Sequence, residues 1–438
     1  MQTKLADFIK DTPEGREADA ILRNCVHCGF CNATCPTYQL LGDELDGPRG
    51  RIYLMKQVLE GHEVTGKTQL HLDRCLTCRA CETTCPSGVH YSRLLEIGRE
   101  IVEAQVKRSP ADALARTTLR KVITRPTLFQ PLLRLGKLAR PVLPAKLRRK
   151  VPGAVSAAGF IPAARHARQM LVLQGCVQPS LAPATNAAAA RVLDRLGVSL
   201  VAAPEAGCCG AVSFHLEARS EALDFMRRNI DAWWPHVERG VEAIVITASG
   251  CGVMVKDYGH QLAHDPVYAD KAARISELTR DISEVVLAEK AALTALMPQP
   301  STLMPSPSAL IPHPSARSAR KVAFHSPCTL QHGLKIRGDV EALLATLGFE
   351  MLPVRDAHLC CGSAGTYSVL HPDIAERLRE NKLAALTEHR PDEIVTANIG
   401  CQTHLQSGME RRVRHWIELL DEALPPAGAP SAHAMESA

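Results

Sequence analysis

The sixteen cysteines of this 438-residue chain carry the chemistry legible in it, and every one falls into a pattern. Two runs of the form C-x-x-C-x-x-C-x-x-x-C-P lie near the N-terminus: Cys25, Cys28, Cys31 and Cys35 before Pro36, then Cys75, Cys78, Cys81 and Cys85 before Pro86. This is the bacterial ferredoxin spacing for [4Fe–4S] clusters. Thiolates three residues apart wrap the backbone around three corners of a cube, so that peptide N–H groups point inward at the sulfides. The fourth cysteine of a run cannot easily turn back to the same cube, and the proline after it directs the chain away, so it ligates the other cluster. The expected ligand sets are Cys25, Cys28, Cys31 and Cys85 for one cluster and Cys35, Cys75, Cys78 and Cys81 for the other. Crossed ligands force the clusters close together, and single electrons can then hop between them. Zinc sites use four ligands, usually as two separated pairs; a double run closed by prolines exceeds that need. A zinc-stabilised scaffold that only binds partners is the competing class. His27 lies inside the first run and is read as a neighbour of the cluster, because four cysteines already complete the site.

The other eight cysteines form two matching sets, Cys176/Cys208/Cys209/Cys251 and Cys328/Cys360/Cys361/Cys401. The interval from first to second cysteine is 32 positions in both sets, and the last intervals are 42 and 40. Repetition in the same order argues against chance. Gly210 and Gly362 follow the adjacent cysteines, as a tight turn after a strand requires. Each set is a candidate further metal or redox site. The alternatives are a thiol or disulfide role, a strained bond between adjacent cysteines, or a structural remnant. His325, His332, His358 and His404 crowd the second set, whereas the first has little to match them beyond His215. These histidines are read first as surface or hydrogen-bonding groups; if one copy alone keeps chemistry, it is the second.

The elements that must position these groups follow from periodicity. Ile52, Met55, Val58 and Leu59 recur at helical spacing over 49–60, and Leu94, Leu95, Ile97, Ile101 and Val102 do so over 91–107. Residues 1–106 thus read as an α-helical two-cluster ferredoxin domain. Residues 107–168 hold 15 Lys/Arg against one acid, Asp112, with prolines at 110, 126, 131, 141, 144, 152 and 162. They read as a basic connector: a solvated linker in the plainer reading, a docking strip for an acidic partner or an anionic membrane in the sharper one. Residues 169–290 and 321–425 form an internal repeat. Each copy alternates short β-rich runs with helical stretches, and strands are expected at 198–202 and 349–354, which implies an α/β domain with a mostly parallel sheet. The cysteines fall just after strand ends, where open α/β sheets place their sites. Between the copies, 291–320 is a Pro/Ser/Ala-rich insertion, and 426–438 reads as a flexible tail. The fold class is therefore α+β multidomain, helical ferredoxin followed by two α/β Cys-Cys-Gly domains.

Formal net charge is only +5, which predicts no nucleic-acid partner. The first residues mix acids and bases without an apolar core, so no secretory signal is read. No stretch of about 20 apolar residues suggests a membrane span. Patterned cysteines in so long a chain point to metal in a reducing compartment rather than disulfides. There is no G-x-G-x-x-G after a strand, no phosphate-binding loop and no nucleophile elbow. Nothing here looks able to bind flavin or nicotinamide; clusters carry one electron each and oxidising an organic substrate needs a two-electron acceptor first, so the flavin must belong to another chain.

The motifs together resemble the iron–sulfur subunits of glycolate oxidase, better called glycolate dehydrogenase. The resemblance rests on Cys25-Val-His-Cys-Gly-Phe-Cys-Asn-Ala-Thr-Cys-Pro-Thr-Tyr38, Gly42-Asp-Glu-Leu-Asp-Gly-Pro-Arg-Gly-Arg51, Asp231-Ala-Trp-Trp-Pro235, Thr247-Ala-Ser-Gly-Cys-Gly252, Leu359-Cys-Cys-Gly-Ser-Ala-Gly-Thr-Tyr367 and Thr396-Ala-Asn-Ile-Gly-Cys-Gln-Thr-His404. It covers about 17–424, apart from the insertion and parts of the connector. It implies a complex with two flavoprotein-type subunits, one binding FAD and oxidising glycolate, with D-lactate a second substrate, to give glyoxylate in the glycolate case. This chain would relay electrons toward quinone, cytoplasmic or peripheral on the inner face of the membrane. The Cys-Cys-Gly blocks are also similar to those of glycerol-3-phosphate dehydrogenase, lactate-utilisation and heterodisulfide reductase subunits, which keeps a glycerol-3-phosphate or lactate dehydrogenase subunit as the alternative. One departure stands out: the wider family often ends its motif in Cys-x-x-Cys, whereas here the ends are Cys251-Gly-Val-Met254 and Cys401-Gln-Thr-His404. Each copy lacks one cysteine, which counts against carrying over that family's unusual clusters.

Overall fold

The protein is described here by a computed structural model covering residues 1–144, 148–149, 151–153, 155–296 and 319–425. Its first domain is a cage of helices around the two cysteine runs. Helix α1 (Pro13–Asn24) starts at Thr12, whose side chain accepts from the Gly15 N–H, and ends at Cys25. Helices α2 (Pro48–Leu59) and α3 (Tyr91–Gln105) occupy the two stretches whose periodicity marks them. Leu22, Met55, Leu59, Leu94 and Leu95 meet in a fully buried core. The contact between α2 and α3 is tight: a Cβ on Gly98 would sit 2.7 Å from Met55 Cγ.

The basic segment departs from the solvated linker expected of it. Its first half forms α4 (Pro110–Ile123) and α5 (Pro126–Ala139). Pro110 and Pro126 occupy first helical positions, where a missing N–H costs nothing, so these two prolines start helices rather than interrupt chain. Ser109 caps α4 by accepting from the Asp112 N–H. Charge then pins the segment to both neighbours. Arg108 and Arg116 reach Asp73 at 2.7 and 3.1 Å, and Lys121 and Arg120 reach Glu221 of the next domain at 2.7 and 3.2 Å.

Each Cys-Cys-Gly domain is built on a four-stranded parallel sheet. In the first, β1 (Arg168–Val172), β2 (Val198–Ala202), β3 (Ile244–Ile246) and β4 (Thr279–Asp281) lie in the order β2-β1-β3-β4. In the second, β5 (Lys321–His325), β6 (Glu350–Met351), β7 (Glu393–Thr396) and β8 (Val413–His415) repeat it as β6-β5-β7-β8. The strand expected over 349–354 thus narrows to two residues. The fourth strands, Thr-Arg-Asp and Val-Arg-His, carry no apolar run and escape a pattern search; pairing with β3 and β7 makes them strands. The final cysteine of each set lies five residues past its strand, in the first turn of α7 (Ser249–Lys256) or α9 (Ile399–Gln406).

The two domains share a core. Helix α6 (Pro183–Arg195) contributes Ala189, Val192 and Leu193, α8 (Asp339–Thr346) contributes Leu343 and Leu344, and α10 (Trp416–Ala423) contributes Trp416, Ile417 and Leu420. Arg191 and Arg195 both meet Asp421 at 2.7 Å at its edge. The insertion expected from residue 291 starts later than that, because Lys290–Leu296 is helical with Leu293 buried. Its remainder, 297–318, and the tail 426–438 lie outside the described residues. Among the described residues, no helix is long and apolar enough to cross a membrane.

Asp73 is the keystone of the basic segment. Burial opposes its ionisation, but Arg108 and Arg116 more than compensate and hold its carboxyl below the usual value. Because the folded value is depressed, this stabilisation is complete above the unfolded value of about 4 and is lost as pH falls through the folded one. Asp73→Ala is expected to cost about 3 kcal/mol. Amide hydrogen exchange in 110–123 should accelerate in the variant at neutral pH, and in the parent protein only on acidification.

Candidate metal centres

The two N-terminal runs have the same backbone. Each first cysteine follows closely on the end of a helix, Cys25 directly on α1 and Cys75 two residues past the end of Gly66–Asp73. Around the second cysteine the chain turns through the left-handed region twice, at His27 and Gly29 in one run and at Thr77 and Arg79 in the other. Three of these four are not glycine, and such residues cost about 1–2 kcal/mol each. The left-handed pair breaks any helix or strand, so thiols three residues apart turn toward a common point. The third cysteine then starts back into helix, in Phe30–Ala33 or Ala80–Thr84.

The cysteines line two cavities. Cys25, Cys28, Cys31 and Cys85 share one with Val26, Ile52 and Val89, and Cys81 reaches its wall. Cys35, Cys75, Cys78 and Cys81 line the other, beside Thr37, Arg51 and Tyr91. The fourth cysteine of each run therefore lies with the first three of the other. Burial, followed by Cys25, Cys28 and Cys85, pushes the Cys31 thiol up to about 11. Burial likewise drives Cys78 and Cys81 well above the ordinary range, with neighbouring thiols adding to it. Four sulfurs lining one small cavity fit a thiophilic cationic group, which would neutralise their thiolates on binding.

Polar neighbours surround the second cavity. The buried Arg51 donates to the His71 carbonyl at 2.7 Å, to Thr37 Oγ1 at 3.1 Å and to Asp46 at 3.3 Å. Asp46 also holds Arg74 at 2.8 Å and His71 at 3.0 Å, so it serves as an ion-pair brace. Thr37 Oγ1 lies 3.2 Å from Cys35 Sγ, the Tyr91 hydroxyl donates to Cys75 Sγ at 3.6 Å, and the Val89 N–H donates to Cys85 Sγ at 3.5 Å. The His27 ring faces the backbone instead, with its Nε2 3.3 Å from the Arg49 carbonyl oxygen.

In the Cys-Cys-Gly domains, loops from three strands bring each set together. Gly210 and Gly362 have φ of 92° and 89°, and a Cβ on Gly362 would lie 2.7 Å from the Ala375 carbonyl oxygen. In the first set, Asn229 and Tyr258 lock the adjacent cysteines by donating to the carbonyls of Cys208 and Cys209, both at 2.9 Å. Cys176 and Cys208 pack against Phe225 and Ile123 of α4. In the second set, Cys328 Sγ and Cys360 Sγ are 3.9 Å apart, and the Gly362 N–H donates to Cys360 Sγ at 3.4 Å. Cys328 and Cys360 pack against Leu76 and Cys78, so this set adjoins the second ferredoxin cavity.

The histidines divide. His332 bridges Thr83 and the His358 carbonyl at 3.1 and 2.9 Å, and His404 Nε2 lies 3.2 Å from the Ala375 carbonyl oxygen. These are hydrogen-bonding groups, as expected. His358 contributes that carbonyl, and His215 lines a surface notch with Leu95 and Arg99. His325 differs: it is buried, neither ring nitrogen has a hydrogen-bond partner among the described residues, and one of the two lies within 4.8 Å of Cys361 and Cys401 Sγ. Burial, then Lys382 and His404, keeps its imidazole neutral. The sequence placed His325 among four histidines without distinguishing it; its position three residues before Cys328, at the end of β5, was the available signal.

Comparison with known proteins agrees with this layout. Residues 21–89 match the 4Fe-4S dicluster domain family, and residues 170–256 and 322–406 match the cysteine-rich domain family. The chain is 26% identical to lactate utilization protein A of Exiguobacterium sp. (strain ATCC BAA-1283 / AT1b), over 58% of this chain and 96% of that protein. It is 30% identical to the probable glycolate oxidase iron-sulfur subunit of Bacillus subtilis (strain 168), over 92% and 94%. It is 56% identical to the glycolate oxidase iron-sulfur subunit of Escherichia coli (strain K12), over 97% of this chain and 99% of that protein. The chain belongs to the family of glycolate oxidase iron–sulfur subunits. In this member of that family, the helical domain is a 4Fe–4S dicluster domain and both α/β copies are cysteine-rich domains.

A hydrogen bond to a ligating sulfur favours the reduced state of such a group. In this glycolate oxidase-type subunit, Tyr91→Phe removes the donor to Cys75 and keeps the ring. Iron and sulfide content are expected to stay unchanged while one midpoint becomes more negative by up to about 40 mV, roughly 1 kcal/mol for one electron. An EPR-monitored redox titration reads this, and an unmoved midpoint would show that the donor has no effect.

Proposed function

We propose that the chain is the electron-relay subunit of a flavin-dependent complex that oxidises glycolate to glyoxylate. The observation that supports it most is the exchange of fourth cysteines between the two runs. Cys25, Cys28, Cys31 and Cys85 hold one [4Fe–4S] cluster, and Cys35, Cys75, Cys78 and Cys81 hold the other. When bound, each cluster accepts and releases one electron. The residues of this chain supply thiolate ligands, the donors Tyr91 and Val89, and apolar side chains such as Ile52 beside the first site. Oxidation of glycolate yields two electrons and two protons. A two-electron acceptor must receive them first, and FAD in a partner subunit fills that role, with a second FAD-binding-type subunit in the complex and quinone as the onward acceptor.

The Cys-Cys-Gly sets extend this reading. Contact of Cys328 and Cys360 with Cys78 makes the second set a candidate further centre next in line after the second cluster. Helix α5 supports a peripheral place on the inner face of the membrane. Leu128, Leu132, Leu135 and Leu138 are all exposed and recur at three- and four-residue spacing, and Arg125, Arg134 and Lys137 accompany them with no acid in the helix. An apolar face with basic flanks suits an anionic lipid surface. The likeness to lactate utilization protein A favours D-lactate as the second substrate to test.

Three measurements test this function. Anaerobically prepared protein is expected to carry at least eight irons with matching sulfide; zinc without iron would sink the relay. Cys85→Ser should damage the cluster on Cys25, Cys28 and Cys31 and spare the other by EPR; the reverse pattern would overturn the exchanged ligands. Reduction of the clusters in the assembled complex by glycolate, and not by glycerol 3-phosphate, would fix the substrate class. For the membrane, the parent is expected to float with vesicles containing anionic lipid at low salt, and Leu135→Glu with Leu138→Glu to lose at least tenfold in binding.

A further inference from the structure

The two Cys-Cys-Gly copies are alike in sheet order and in cysteine order, yet they differ at a buried position beside the first cysteine. Three residues before the first cysteine, the second copy has His325 and the first has Leu173. Leu173 is 3% exposed and packs with Cys209 in an apolar core. His325 is 2% exposed at the matching place, and neither ring nitrogen has a hydrogen-bond partner among the described residues. Burying an imidazole without a hydrogen bond costs about 1–3 kcal/mol by mutational measure, so a histidine kept there needs a compensating partner.

The neighbours show what that partner is. A His325 nitrogen and the sulfurs of Cys361 and Cys401 lie within 4.8 Å of one another, and all three residues are buried. A second difference follows the first. Asn398, three residues before Cys401, donates to its sulfur at 3.6 Å, while the equivalent residue before Cys251 is Ala248. At these two positions the second copy has an imidazole and an amide donor, where the first has leucine and alanine. Each copy has only four cysteines, so an imidazole adds a fifth donor to the second set alone.

We propose that His325 is a metal ligand: with Cys361 and Cys401 it forms a centre of mixed thiolate and imidazole ligation in the second Cys-Cys-Gly domain, which the first domain does not share. This rests on the reading of the Cys-Cys-Gly sets as metal sites, and it deepens that reading by naming the copy and the ligand. Thiolate with imidazole suits a thiophilic transition metal, either the iron of a cluster or a single zinc ion.

Metal analysis of anaerobically prepared full-length protein tests it, with the N-terminal clusters as internal control. The parent should contain metal beyond eight irons, as extra iron with sulfide or as zinc. In His325→Leu, which copies the first domain, that extra metal should fall at least fivefold while the eight irons and the circular dichroism stay. His325→Cys should keep the extra metal but lose the imidazole nitrogen, read by pulsed EPR for iron or X-ray absorption for zinc. Full retention of the extra metal in His325→Leu, or no nitrogen ligand in the parent, would overturn the role of His325 alone. A parent with eight irons and nothing more would bring down the Cys-Cys-Gly metal site itself, and this ligand with it.

Discussion

Four sulfur atoms must point at one small volume, and neither a helix nor a strand can do that with cysteines three residues apart. The first domain resolves this with left-handed backbone at His27, Gly29, Thr77 and Arg79, on either side of each second cysteine. That conformation is unfavourable for side-chain-bearing residues, and the surrounding helices hold it in place. Helix α1 delivers Cys25 at its end, α2 and α3 fill the core behind the cavities, and Arg51 ties the two halves of the second cavity by reaching both Thr37 and the His71 carbonyl. A site fixed in this way needs little rearrangement to bind its group, which suits single-electron transfer between fixed centres.

The same constraint shapes the repeated domains, with other means. Here the adjacent cysteines sit ahead of a left-handed glycine, and Gly362 leaves no space for a Cβ because the Ala375 carbonyl is against it. The parallel sheets place three loops at one end, so cysteines far apart in sequence meet there. Sharing one core between the copies orients them relative to each other. One consequence is asymmetry: the second set packs against the Cys78 side of the ferredoxin domain, while the first is covered by α4 of the basic segment.

The basic segment connects these levels. Its cations near Asp73 and Glu221 act as pins between the first and second domains, whereas Arg134 and Lys137 on α5 make no ion pair among the described residues and share their helix with exposed leucines. Composition does not distinguish the two halves of this stretch; its two helices differ, because the first of them meets the partly buried carboxylates of Asp73 and Glu221.

The sequence by itself determined the donor inventory, the two-cluster domain, the duplication and its α/β class, because thiol spacing and apolar periodicity are local properties of the chain. It could not reveal β4 and β8, whose three residues become strands only through pairing with β3 and β7. It could not separate Pro110 and Pro126 as helix starts from prolines in a linker. Nor could it single out His325 from three other histidines, since the shortage of hydrogen-bond partners that distinguishes it exists only once β5, the Cys-Cys-Gly loop and α9 have closed around it. Those matters were decided by tertiary structure, because each depends on what a residue meets across the fold and not on its neighbours along the chain.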